Sequence, residues 1–138
     1  MTLAKTIAYW ATTGLLTLAM GASGAAYLSG AMNEDIAALG YPPAFTSLMG
    51  VLKLLGAVGM IVPALPRVKE WVYAGFTFTF IGAAWSHLGA GHGVDHIAPP
   101  LVMLTVLAVS YFTRPANLWL GREAEAPAMG MARPVAAK

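Results

Sequence analysis

The sequence contains no cysteine in 138 residues. That excludes a disulfide framework, a thiolate nucleophile, a thiol redox centre, iron–sulfur ligation and a Cys-type zinc site, so any redox chemistry needs a bound cofactor or a partner. Charge is equally scarce: Asp, Glu, Lys and Arg make up 10% of the chain against 58% hydrophobic residues, and the mean hydropathy is +0.67. Such a composition belongs to a chain whose solvent is lipid. The net charge of +2 and the isoelectric point near 9.1 are too mild for a nucleic-acid partner, and the basic residues are scattered along the chain without forming a patch. No nucleophile-elbow motif is present to suggest serine hydrolysis.

What is abundant is long apolar sequence. Four segments, 7–29, 45–65, 71–88 and 97–112, approach the ~17–25 residues that a helix needs to cross a bilayer. Because lipid offers the backbone no hydrogen-bond partners, helices are the expected solution. The predicted fold is all-α, an integral-membrane four-helix bundle over 1–116 followed by an interfacial segment and disordered tail over 117–138. The first apolar run is longer than a signal-peptide core of ~7–15 residues, which predicts a retained helix. Lys5, Arg67, Lys69, Arg114, Arg122, Arg133 and Lys138 flank the segments on one side, while loops 30–44 and 89–96 hold no lysine or arginine. By the positive-inside rule both termini face the cytoplasm.

Smaller features add detail. Thr17, Gly21, Ala25 and Ser29 form a four-residue ladder of small side chains, suited to packing within the bundle or to a homo-oligomer contact. Asn33 is placed to cap a short helix in the first loop, with Glu34 and Asp35 in its first turn and Gly40, Pro42 and Pro43 behind it. The alternative is a solvated connector. Arg67, Lys69 and Glu70 read as topology determinants, with Trp71 and Tyr73 as interfacial anchors. Pro99 and Pro100 are expected to open the fourth helix, where missing amide donors matter least.

The leading site candidate is Lys53, a charge inside the second segment, which costs a few kcal/mol or more unless it faces a bundle interior or polar cavity. Its helical neighbours Met49, Gly50, Gly56, Ala57 and Met60 are small or flexible. At 1.5 Å per residue it lies about 12 Å from the outer end of its segment, which a lysine stem bridges only in part. Pairing with Glu34, Asp35 or Asp95 from the outer loops would make a polar floor under an apolar crevice, where a quinone or lipid headgroup carbonyl could accept a hydrogen bond. The bland alternative is a lysine that ties helices together. His87, near the outer end of the third segment, could exchange protons with Lys53 nearby. His87, His92 and His96 carry donor atoms suited to zinc, copper or nickel, but their spacing does not fit one face of a continuous helix, and Gly89, Gly91 and Gly93 favour a loop of solvated histidines. The spacing commits no metal.

The string Gly-Val-Leu-Lys-Leu-Leu-Gly at 50–56, Val62-Pro63, Pro66-Arg-Val-Lys-Glu-Trp at 66–71, Tyr73-Ala-Gly-Phe at 73–76, Gly82-Ala83, Ser86-His87, Ser110-Tyr111 and Arg114-Pro115 resembles the DoxX-like family of small four-helix membrane proteins. The resemblance spans approximately 7–116. A Gly-Asp step expected after the third helix is replaced by Gly91-His92-Gly93, with Asp95 later. The resemblance implies four transmembrane helices in a bacterial cytoplasmic (inner) membrane, and relatives tied to quinone-linked thiosulfate oxidation and to oxidative-stress or electron-transfer assemblies. It carries Lys53, Ser86 and His87 over as site candidates and no catalytic role with them. The expected function is a redox-associated accessory protein, partnered with a redox enzyme, that binds a quinone-like or isoprenoid lipid around Lys53. A small-solute or proton-coupled transporter or channel is the alternative, and a membrane oxidoreductase subunit the third.

Overall fold

The computed structural model describes residues 1–63 and 65–119. The tail expected over 117–138 therefore lies outside the described residues from 120 onward. The described chain is all-helical: α1 (Leu3–Leu28), α2 (Asn33–Ala38), α3 (Pro43–Ile61), α4 (Pro66–Gly89) and α5 (Val94–Phe112), followed by a single 3₁₀ turn at Ala116–Leu118. The four long helices close a ring in which α1 packs on α3, α3 on α4, α4 on α5 and α5 back on α1, while α2 leans on α3. Short connections make ring neighbours antiparallel. By length and composition α3 and α5 can each cross a membrane.

Local chemistry sets the boundaries. Pro63 restricts Val62 to extended backbone (φ −71°, ψ 113°), so α3 stops at Ile61 and does not run to residue 65. Pro66 occupies the first turn of α4, where it needs no amide partner, so that helix starts five residues before the expected 71. Arg67 and Lys69, read as topology determinants, therefore lie in the first turn of α4. Pro99 and Pro100 do not open α5 but lie inside it, because Gly93 caps a helix that begins at Val94. Their missing N–H groups leave the carbonyls of Asp95 and His96 without helical partners. The short loop helix α2 forms as expected, although Met32 occupies the capping position and no side-chain cap is made.

Small residues set the helix spacing. A Cβ on Gly24 would stand 3.0 Å from the Gly50 carbonyl oxygen, and one on Gly56 would stand 2.4 Å from the Phe76 ring. Gly24, outside the expected ladder of Thr17, Gly21, Ala25 and Ser29, thus lets α1 pack directly against the Gly50 backbone of α3, as small residues do between membrane helices. The core is Leu16, Met20, Ala57, Met60, Val72, Tyr73, Phe76, Phe80 and Leu107. Outside it the pattern of a soluble domain is inverted: Leu18, Leu55, Val58, Phe78, Ile81, Trp85 and Val102 point outward, while Thr13, Thr46, Lys69, Ser110 and Arg114 are buried.

Candidate functional site

Among the described residues polar groups gather in three places. The first surrounds Lys53, which α3 aims at α1. Its Nζ donates to Ser23 Oγ at 2.7 Å and lies 3.7 Å from the centre of the Tyr27 ring. A hydroxyl acceptor and an aromatic face together accommodate an ammonium without a counter-ion. The expected ion pair to Glu34, Asp35 or Asp95 is not formed among the described residues. Glu34 and Asp35 are exposed on α2, and Asp95 bonds the neighbouring histidine instead. Ser86 is also drawn elsewhere: its Oγ meets the Tyr41 hydroxyl at 2.7 Å, and Tyr41 stacks on Phe45 at 4.4 Å between ring centres. Lys53 and His87 share no partner among the described residues.

The second place is the connection from α4 to α5, which brings His87, His92 and His96 together. Ring centres lie 5.1 Å apart for His87 and His92, 5.6 Å for His87 and His96 and 4.8 Å for His92 and His96. The Nδ1 atoms of His87 and His92 are 2.8 Å apart, one donating to the other.

The third place, at the end where α1 and α4 start and α3 and α5 finish, went unrecognised in the sequence as a site. Lys69 is not an exposed topology residue: it is 1% exposed, and its ammonium donates to the Met60 carbonyl. That carbonyl belongs to the last turn of α3, whose acceptors have no helical donor. Tyr73 likewise is no interfacial anchor, being 4% exposed. Its hydroxyl meets Ser110 Oγ at 2.8 Å, and Ser110 meets Thr13 Oγ1 at 2.8 Å, so one serine joins α1, α4 and α5. Trp71, by contrast, is 82% exposed, as an interfacial aromatic would be.

Arg114 closes this end. It is buried, pairs with Glu70, and lies against the rings of Tyr73, Tyr111 and Trp119 at 5.2, 4.9 and 4.3 Å. Trp119 Nε1 donates to the Arg114 carbonyl at 3.0 Å, which folds the segment after α5 back onto the bundle. Among the described residues no acceptor reaches Arg114 Nε or Nη1. The aromatic faces take that part of the charge.

Beside this network an open groove of about 390 Å³ runs between α4 and α5, lined by Ala74, Thr77, Leu104, Leu107 and Ala108, with Glu70 and Tyr111 among its polar groups. The Tyr111 hydroxyl donates to Glu70 Oε2 at 3.4 Å, a long bond that leaves both groups able to meet a ligand. An apolar trough with a donor and an acceptor together fits an amphiphile with a small polar head. The sequence signals were present: Thr13, Tyr73 and Ser110 are polar side chains in apolar runs, and Tyr111 and Arg114 belong to the motif pairs at the end of the fourth segment.

No curated protein and no solved structure matches the chain. The sequence model of the DoxX-like family matches residues 11–110, from the third turn of α1 to Ser110 in the hydroxyl cluster. With that match over most of its length, and with two helices apolar enough to cross a membrane, the chain belongs to the DoxX-like family of membrane proteins.

Proposed function

We propose that this is a multi-pass protein of the bacterial cytoplasmic membrane, with α1, α3, α4 and α5 spanning and both ends cytoplasmic. In this reading it binds an isoprenoid or quinone-like lipid and serves a redox enzyme as an accessory partner without catalysing a reaction itself. The inverted distribution of side chains supports the membrane bundle, since outward Leu, Phe and Ile residues suit a lipid solvent and the buried hydroxyls satisfy one another. The basic residues Lys5, Arg67 and Arg114 fall at one end of the ring and support the orientation.

The observation that carries the ligand reading is the α4–α5 groove. A polyprenyl chain would lie along Ala74, Thr77, Leu104 and Ala108, with a carbonyl accepting from the Tyr111 hydroxyl or a hydroxyl donating to Glu70. The site is thereby assigned to the cytoplasmic half and not to a crevice around Lys53, whose ammonium is already held by Ser23 and Tyr27. Binding is favoured over a proton relay because the groups around Lys53 and those around His87 form separate sets. Native mass spectrometry of protein released into mild detergent tests the reading. One retained lipid per chain is expected, and it should be lost in Ala108→Trp, which fills the groove from an exposed position. Repeated absence of a bound lipid, or equal retention in the filled variant, would contradict it.

A further inference from the structure

The α4–α5 connection holds an arrangement that the lipid reading does not use. His87 closes the last turn of α4, His92 lies in the turn, and His96 sits in the first turn of α5. We propose that His87, His92 and His96 form a three-histidine site for one divalent ion of the zinc class, with Asp95 as the carboxylate that orients His96.

Three features converge on this. Ring-centre separations of 4.8, 5.1 and 5.6 Å match the roughly 5 Å expected when three imidazoles bind one tetrahedral ion at about 2.0–2.1 Å. Asp95 Oδ2 lies 2.7 Å from His96 Nδ1, the carboxylate–histidine pairing that fixes the tautomer of a metal-bound imidazole and leaves Nε2 as the ligand atom. The backbone is also built to allow it. Gly91 takes φ +73° to reverse the chain, and a Cβ on residue 93 would stand 2.7 Å from Asp95 Oδ1, so glycine there makes room for the orienting carboxylate.

As the side chains stand, no group of three His, Cys, Asp or Glu among the described residues is arranged to hold a metal ion, so the site forms only when the hydrogen bond between His87 and His92 opens. As the ion enters, the Nδ1–H that joins His87 to His92 across 2.8 Å goes to solvent and the same ring takes up a proton at Nε2, so that both rings stay neutral and present Nδ1 lone pairs to the ion. The two nitrogens then separate to the ~3.3 Å that two ligands take about one ion. Side-chain exposures of 53% for His96 and 71% for Asp95 give the ion an open path. With three protein ligands a fourth position remains for water or an external donor. The absence of cysteine and the borderline softness of imidazole select zinc, copper or nickel over magnesium or calcium.

The test uses full-length protein purified without a polyhistidine tag, stripped with EDTA and titrated with Zn²⁺ against a chromophoric chelator. Co²⁺ in a parallel titration reports coordination geometry through its visible absorption. The expected result is one Zn²⁺ per chain, a tetrahedral Co²⁺ spectrum, loss of both in His92→Gln and His96→Gln, and an affinity about 10–100-fold weaker in Asp95→Asn. Thermal unfolding of the metal-free variants should match that of the parent, which separates lost ligands from lost fold. Binding well below one ion per chain, or a titration that the histidine variants leave unchanged, would overturn the site. Full affinity in Asp95→Asn would overturn the role given to the carboxylate.

Discussion

A lysine inside an apolar helix can be kept by a counter-ion, by a wet cavity or by a few oriented dipoles, and Lys53 has the third arrangement. Its hydroxyl acceptor Ser23 and the Tyr27 face come from α1, so the lysine ties α3 to α1 beside the tight contact of Gly24 with Gly50. This has a consequence opposite to the usual intuition about charge. Ser23→Ala should destabilise the protein by about 1–2 kcal/mol, because the ammonium loses its acceptor while staying in place. Lys53→Met should cost less, since it removes the charge together with the need for a partner. Thermal unfolding of the two variants in one detergent checks the order; a Lys53→Met variant markedly less stable than Ser23→Ala would contradict it. The importance of Lys53 was legible because one charge in an apolar run stands out, but its partners were not, since Ser23 and Tyr27 lie on another helix with no charge to mark them. Arg114 was harder still: beyond the last apolar segment a basic residue reads as a topology signal, and only the return of Trp119 onto the bundle buries it.

At the scale of the helices, close packing is carried by glycines whose roles differ sharply. Gly56 faces the Phe76 ring at a distance that leaves no room for a Cβ, whereas Gly82, exposed on α4, has nothing within 4 Å of that position. Gly56→Ala should therefore cost roughly 1–3 kcal/mol through overpacking of α3 against α4. Gly82→Ala should be neutral or stabilise by about 0.5–1 kcal/mol through helix propensity. Equal melting temperatures for the two variants would count against this packing. All four long helices and the short α2 were legible from apolar run length and from Gly and Pro punctuation. Their ends were misplaced wherever a proline could be read two ways: Pro66 starts α4, Pro63 ends α3, and Pro99 and Pro100 sit within α5, which Gly93 caps six residues earlier. The histidines were discounted because their spacing fits no single helix face, yet a tight turn between two helices brings the rings together without requiring one.

For the molecule as a whole, a ring of four helices with apolar side chains outward and hydroxyls inward separates two polar ends. One end holds Lys69, Glu70, Tyr73, Ser110 and Arg114; the other holds the histidine turn and α2. The composition made the lipid solvent legible, but not the polar end where α1 starts and α5 finishes, because Thr13, Tyr73 and Ser110 meet only once three helices have packed. Since the natural sequence has no cysteine, single cysteines at Asn33 and Val94 should react with an impermeant maleimide in intact spheroplasts, and one at Arg67 only after lysis. The reverse pattern would invert the topology. The claim on which the functional account rests is that lipid occupies the groove between α4 and α5 beside Glu70 and Tyr111. Its most direct test is photocrosslinking with a diazirine-bearing isoprenoid quinone in reconstituted bilayers, with adducts located by peptide mass spectrometry. The account predicts adducts within 70–77 and 104–112 that excess unlabelled quinone competes away; adducts spread over all outward faces, or concentrated on α1 and α3 around Lys53, would contradict it.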